Sequence, residues 1–170
     1  HHLGTLLGLL MATYEMSAYR HEYQRQVLAN AKAFALALKE KGLQVEGDPA
    51  VDYTETHQVV LRVGYARGVE IADRLEKNNI IVNYQALPDD ESFTASSGLR
   101  TGVQEMTRFG MKEADFAELA GYMAAVILED KDVSQPVARF RRKFTTMQYC
   151  LPVEQAVPLI DKLINSLLKS

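Results

Sequence analysis

The sequence has little of several features on which common protein classes depend. It contains one cysteine, Cys150, so an internal disulfide framework is impossible and a reducing compartment is favoured. It has no excess of positive charge: the net charge is -3 and the pI is about 5.8, which argues against nucleic acid as a partner. The apolar run at residues 3–12 is about ten residues long, too short to cross a bilayer. We therefore predict a cytoplasmic protein with no nucleic-acid or membrane partner.

Motifs that mark common catalytic sites are also missing. The chain has no glycine-rich phosphate loop, no cysteine and histidine spacing typical of a metal site, and no Gly-x-Ser-x-Gly turn. His21 and His57 are isolated, which favours structural roles, and Cys150 is more typical of an inert thiol than of a nucleophile. We therefore predict no metal site and no catalytic residue within this chain. One basic cluster is expected to be the solvated face of a helix rather than an anion site: Arg139, Arg141, Arg142 and Lys143.

The spacing of the apolar residues, which make up 47% of the 170, predicts an α+β fold. A long helix comes first and ends near Gly42; its first part is apolar nearly all round, which predicts burial on several sides by another domain or subunit. Ser134 and Pro136 are typical of a helix cap and first turn. We expect strands near residues 43–45, 57–63, 80–84 and 99–103, and helices near residues 69–75, 116–127, 137–144 and from 152 onward. The fold class is therefore a small, mostly antiparallel sheet covered by helices and preceded by a long helix.

This order of elements predicts three regions. Residues 1–42 form a long connecting helix that faces a dimer partner or a larger domain. Residues 43–130 form the small α+β domain, and residues 131–170 form a helical C-terminal extension.

Residues 93–102 are the strongest candidate for a binding site. A loop of small residues runs into Arg100 at the start of a predicted strand, with Gly102 close behind. Small residues let a ligand approach the backbone, and the planar guanidinium of arginine matches a carboxylate with two parallel hydrogen bonds. The alternative is a surface arginine that pairs with an acidic side chain. Residue types alone leave both interpretations open.

Several segments in this region follow one another in an order that resembles one enzyme family. They are LEKNNIIVN at residues 75–83, PDD at 88–90, SSGLR-x-G at 96–102 and MTR-x-GM at 106–111. Together they resemble serine hydroxymethyltransferases, and the likeness covers most of residues 1–130. The chain thus resembles the C-terminal part of a fold-type-I pyridoxal-phosphate enzyme.

The resemblance implies a substrate, a cofactor and an assembly. Arg100 would bind the α-carboxylate of an amino-acid substrate, with pyridoxal phosphate as cofactor and tetrahydrofolate as a cosubstrate in the exchange of serine and glycine. The intact enzyme would be a homodimer, in which the start of the first helix lies beside the partner's cofactor phosphate. That position falls on His1, His2, Gly4 and Thr5; a tag remnant is the alternative for the histidines, but they run directly into the matching helix.

The resemblance also implies that this chain lacks the lysine that holds the cofactor. The family's cofactor lysine lies upstream in a larger domain, and no lysine here has a matching context, so we expect this polypeptide alone to be inactive. Asp89 replaces an asparagine that helps hold folate in the family, and Phe109 replaces an arginine, with Arg108 one place earlier. These departures favour, as an alternative, a folate-independent relative that performs aldol chemistry on β-hydroxy amino acids. A stand-alone ligand-binding or interaction module, or a dimerisation element, is the alternative from another class.

Overall fold

The computed structural model describes residues 2–92 and 94–167. The helices are α1 (Leu3–Glu40), α2 (Gly68–Lys77), α3 (Gln104–Arg108), α4 (Glu113–Glu129), α5 (Ser134–Arg141) and α6 (Val153–Leu167). The strands are β1 (Gln44–Glu46), β2 (Gln58–Arg62), β3 (Asn83–Gln85) and β4 (Gly98–Gly102), with a short 3₁₀ turn at Pro49–Val51. The predicted α+β class is confirmed.

The four strands form one antiparallel sheet in the order β1-β2-β4-β3. Val45, Leu61 and Leu99 lie opposite one another across three strands, and all three are buried in the core. Since side chains alternate between the two faces of a strand, the residues between them point to the other face. That second face, which we call the open face, carries exposed residues such as Gln44, Asn83 and Arg100.

The core lies between the sheet and the second half of α1. Phe34 and Leu38 of α1 are almost fully buried, and the Phe34 ring lies 5.4 Å from the ring of Phe116 in α4. Asn30 is completely buried and donates hydrogen bonds to the Thr107 hydroxyl at 2.8 Å and to the Met111 carbonyl at 2.9 Å. This amide therefore ties α1 to α3 and to the segment that leads into α4.

The first half of α1 is largely exposed. Val27 is the first buried residue of α1 among those described, and Leu6 and Leu9 are 54% and 64% exposed. The cover predicted for this apolar stretch is thus not supplied by the described part of the chain. Within that same part, none of the helices is long and apolar enough to cross a membrane.

The strand predicted at residues 80–84 is shorter and begins later. Asn79 takes a left-handed backbone conformation, with φ of 63°, and the Ile80 N–H donates to the Leu75 carbonyl to close α2. Ile80 is therefore buried in a turn, and Ile81 is 85% exposed. Pairing with β4 starts only at Asn83.

The start of α5 also corrects a prediction. Ser134 is the first helical residue rather than the cap; the cap position is Val133, which has no side chain able to form a capping hydrogen bond. The Asp132 carboxylate accepts from the Ser134 N–H at 2.8 Å instead. A short acidic side chain two residues earlier thus does the work predicted for the serine.

Candidate functional site

Arg100 lies in the middle of β4 on the open face. Its backbone is paired between Val60 of β2 and Asn83 of β3, so strands flank it on both sides. The side chain is exposed, and no described residue forms a hydrogen bond or an ion pair with it. The alternative in which Arg100 pairs with an acid of its own chain is therefore not found among the described residues. A guanidinium on a paired strand that has no partner among the described residues is suited to bind a carboxylate.

The spaces next to the glycines on either side of Arg100 are occupied by other side chains. A Cβ atom added to Gly98 would come within 2.7 Å of Leu87 Cδ2, and one added to Gly102 within 2.5 Å of Gln104 Oε1. Both spaces are filled by side chains of this chain. The glycines therefore let Leu87 and Gln104 pack closely on each side of the arginine.

A second guanidinium on the open face is paired through all three of its nitrogens. Arg62 Nε donates to Glu46 at 2.6 Å, and its two terminal nitrogens donate to the two carboxylate oxygens of Asp89 at 2.9 Å each. These bonds lower the pKa of Asp89 and raise that of Arg62. The carboxylate that replaces the family's asparagine is thus neutralised by a partner from β2.

The neighbouring carboxylate fixes the loop that leads into β4. Asp90 accepts hydrogen bonds from the Leu87 N–H at 2.8 Å, the Ser97 N–H at 3.0 Å and the Ser97 hydroxyl at 2.5 Å. The hydroxyl of Ser97 is the main reason that the pKa of Asp90 lies below its ordinary value. Ser97 directly precedes β4, so this network sets where the Arg100 strand begins.

The residues predicted to lie beside the partner's cofactor phosphate are at the start of α1. His1 is outside the described residues; His2 caps α1 without a side-chain hydrogen bond, and Gly4 and Thr5 are exposed. The His2 carbonyl accepts from the Thr5 N–H at 3.1 Å. At 1.5 Å per residue, His2 lies roughly 37 Å along the helix from Val27, where the core begins. The structure does not bring this helix start together with Arg100 inside one chain.

The described residues do not fit the covalent part of a pyridoxal-phosphate site. A lysine that forms a Schiff base is usually desolvated so that its amine loses the proton. Lys32 is half-buried but donates to the Val51 carbonyl at 2.6 Å and lies 3.5 Å from Asp52. The other described lysines are exposed: Lys39, Lys41, Lys77, Lys112, Lys131, Lys143 and Lys162. The same residues include no group of three side chains able to hold a metal ion.

Two basic features of the sequence have structural roles. Arg108 forms an ion pair with Glu15 and donates to the Cys150 sulfur at 3.4 Å, so it joins α1, α3 and the segment before α6. In the cluster near the C-terminus, Arg141 lies over the Phe109 ring at 4.8 Å and Lys143 over the Phe140 ring at 5.0 Å. All four members of that cluster are exposed, as predicted.

Arg62, Glu46 and the pairing of Arg62 with Asp89 were not predicted from the sequence. A signal was present, because Arg62 follows the apolar Leu61 in β2 and strict alternation places it on the face opposite the core. What the sequence does not contain is the register that sets Arg62 opposite Gly98.

Comparison with known proteins supplies relatives for this arrangement. A serine hydroxymethyltransferase from Methanothermobacter thermautotrophicus is 42% identical over 95% of this chain and 38% of its own length. One from Pyrobaculum arsenaticum is 39% identical over 98% of this chain and 39% of its own. The crystal structure of L-threonine transaldolase from Pseudomonas fluorescens in its internal aldimine state matches with a TM-score of 0.78 and 30% identity, over 89% of this chain and 36% of that one. The chain therefore spans less than two fifths of the length of these relatives.

The family profile described as serine hydroxymethyltransferase matches residues 6–123, which include all but the first three residues of α1, the whole sheet and Arg100. The predicted resemblance is confirmed: with this match and relatives about 40% identical across nearly its whole length, the chain belongs to the serine hydroxymethyltransferase family.

Proposed function

We propose that this chain is the C-terminal, substrate-carboxylate-binding part of a longer pyridoxal-phosphate enzyme that exchanges serine and glycine. The observation that carries the proposal is the guanidinium of Arg100 on the open face of the sheet, which has no partner in the described part of the chain. An exposed arginine on a strand, without an ion pair to any described acidic residue, can bind the α-carboxylate of an amino acid. Family membership supports the reaction class.

The contribution of this chain is to bind and orient. A guanidinium that holds a carboxylate through two parallel hydrogen bonds fixes the rotation of the substrate about its Cα–carboxylate bond. Strand pairing on both sides of β4 fixes the backbone position from which Arg100 projects. When bound, pyridoxal phosphate would withdraw electrons from the substrate's α-carbon. Since no described lysine is placed to hold that cofactor, we propose that the chain is inactive alone.

We also propose that the enzyme is a homodimer in which the first turn of α1 serves the partner's site. His2, Gly4 and Thr5 are exposed, and the first turn contains no acidic residue that would repel a phosphate. Free N–H groups and the positive end of the helix dipole at such a terminus favour phosphate. The division into residues 1–42, 43–130 and 131–170 is part of this proposal: the first region joins subunits and the second binds substrate.

A folate-independent aldolase or transaldolase is a second candidate, and the state of Asp89 favours it. Both oxygens of that carboxylate accept from Arg62, and an ionised carboxylate, unlike an asparagine, has no donor to offer a folate ring. The structural neighbour named a threonine transaldolase supports the same direction. Serine consumption by the full-length gene product, measured with and without tetrahydrofolate, separates the two candidates.

The main proposal is tested by substitution of Arg100 in the full-length gene product. We expect Arg100→Ala to weaken glycine binding by at least about a hundredfold, since the substrate carboxylate would lose a two-bond, charge-assisted contact. Arg100→Lys should recover only part of the affinity because an ammonium cannot form the planar pair. Calorimetric titration with glycine gives both values.

Arg139→Ala is the matched control, because Arg139 is also exposed but lies on α5 rather than on the sheet. It should bind glycine as the wild type does. Glycine affinity unchanged in Arg100→Ala would remove this residue from the site and refute the proposal.

A further inference from the structure

We propose that Asp89 restricts the site to amino acids with a single carboxylate, because it occupies the guanidinium of Arg62 that lies beside Arg100. The inference rests on the proposed function, since it requires an amino acid to be held at Arg100. It goes further by assigning a specificity role to the pair formed by Arg62 and Asp89.

The first step is that the two guanidiniums share one face. Arg100 lies opposite Val60, and Arg62, two residues further along β2, lies opposite Gly98. Residues two apart on a strand point the same way, so both arginines project from the open face. Such diagonal neighbours across an antiparallel pair lie about 7–8 Å apart. A ligand held by one arginine is therefore within reach of the other.

The second step is that only one of the two is available. Glu46 accepts from Nε of Arg62, and Asp89 accepts from both terminal nitrogens in the two-bond geometry that a ligand carboxylate would use. Arg100 has no such partner among the described residues. Left without Asp89, Arg62 would present the same fork as Arg100.

The third step concerns repulsion. Asp89 lies at the loop surface, with its side chain 64% exposed, and both of its oxygens already hold the terminal nitrogens of Arg62. A second carboxylate on the ligand would have to displace Asp89 or lie against it. Specificity commonly depends on such an unfavourable contact with the wrong ligand.

The test uses Asp89→Ala in the full-length gene product, with glycine and L-glutamate as the probes in calorimetric titrations. We expect the ratio of glutamate affinity to glycine affinity to rise about tenfold, because the freed fork of Arg62 binds the side-chain carboxylate. Asp89→Asn, which keeps one acceptor for Arg62, should produce a smaller rise. It also serves as the readout if the alanine variant does not fold.

Two controls identify the cause. Asp73→Ala removes the same charge from an exposed ion pair with Lys77 on α2, the helix on the core side of the sheet, and should leave the ratio at the wild-type value. Asp89→Ala combined with Arg62→Gln should return the ratio to the wild-type value, because the second guanidinium is gone.

Three results would overturn the inference: an unchanged ratio in both Asp89 variants, an equal rise in Asp73→Ala, or a rise that survives the loss of Arg62. None of these bears on whether Arg100 binds glycine. Failure of the proposed function is read separately, from glycine affinity in Arg100→Ala.

Discussion

Asp90 is the residue on which the loop before β4 depends. Its carboxylate accepts two bonds from Ser97 and one from Leu87, and these bonds hold its pKa below the ordinary value, with the Ser97 hydroxyl as the largest cause. A carboxylate with a lowered pKa in the folded state stabilises the protein above the pKa of the unfolded chain. This stabilisation is lost as the pH falls from about 4 through the folded-state value.

We therefore expect Asp90→Asn to lower the melting temperature at neutral pH and to make it less dependent on pH in the acid range. Calorimetric melting temperatures of the two proteins between about pH 7 and pH 3 provide the measurement. The gap should narrow as the wild-type carboxylate becomes protonated. Melting curves that fall in parallel over this range would show that the charge of Asp90 plays no part.

Gly98 and Gly102 allow a direct comparison between a glycine next to a tightly packed side chain and a glycine next to a side chain that can move. An added methyl group at Gly98 would meet Leu87 Cδ2 at 2.7 Å, and Leu87 is only 4% exposed. We expect Gly98→Ala to cost about 1–3 kcal/mol, as is usual for an overpacked site. Gly102→Ala should be close to neutral, because the end of Gln104 can move into water. Denaturant unfolding measures both, and equal costs would contradict this assignment.

At the scale of elements, Asn30 is the polar link between α1 and the helices that follow the sheet. Its side-chain nitrogen donates to the Thr107 hydroxyl and to the Met111 carbonyl. Its side-chain oxygen accepts from the Gln26 side chain at 2.9 Å. We expect Asn30→Ala to lower the free energy of unfolding by about 2–3 kcal/mol, because a buried carbonyl loses its donor and a small cavity forms. Chemical denaturation measures the change.

Gln24→Ala is the control for that substitution, since Gln24 lies on the same helix but is exposed. It should change the free energy of unfolding by less than about 0.5 kcal/mol. Should the two variants prove equally stable, the Asn30 network would contribute nothing to the packing of α1.

The elements that sequence predicts best are those whose period is long or strict. The helical spacing in the second half of α1 and the alternation around Leu61 were sufficient to place them. The β-branched run at residues 80–82 wrongly predicted the start of a strand. Asn79 takes a left-handed conformation, and Ile80 closes the helix α2 instead. The five-residue α3 is too short to show a period of its own.

The site was predictable only in part for a related reason. Arg100 stood out through its motif, which needs only local sequence. The partners of Arg62 come from β1 and from the loop before β4, so finding them requires strand register and loop path. Likewise, the space over Gly98 is filled by Leu87, eleven positions earlier, and no pattern of small residues shows that.

At the scale of the whole molecule, the long helix α1 divides into a second half that is packed in the core and a first half that exposes apolar side chains. From Val27 onward α1 lies in the core, whereas Leu6, Leu9 and Tyr14 are 40–64% exposed. On α6, Val153 and Val157 are exposed as well. Exposed apolar surface of this kind usually marks a contact with another part of a protein or with a partner. In the proposed longer enzyme, the open face of the sheet and this half of α1 would both be covered.

Hydrogen exchange tests that division directly. In the isolated 170-residue chain, amides at residues 27–40 should be protected up to the global unfolding free energy, and those at residues 5–20 should exchange much faster because few tertiary contacts hold them. In the full-length gene product, protection at residues 5–20 should rise by at least about tenfold, since burial of the apolar half suppresses local opening. The 27–40 segment acts as the internal reference. Exchange at residues 5–20 that is as fast in the longer protein as in the isolated chain would mean that this half of α1 remains uncovered, and the assignment of residues 1–42 to an interface would be wrong.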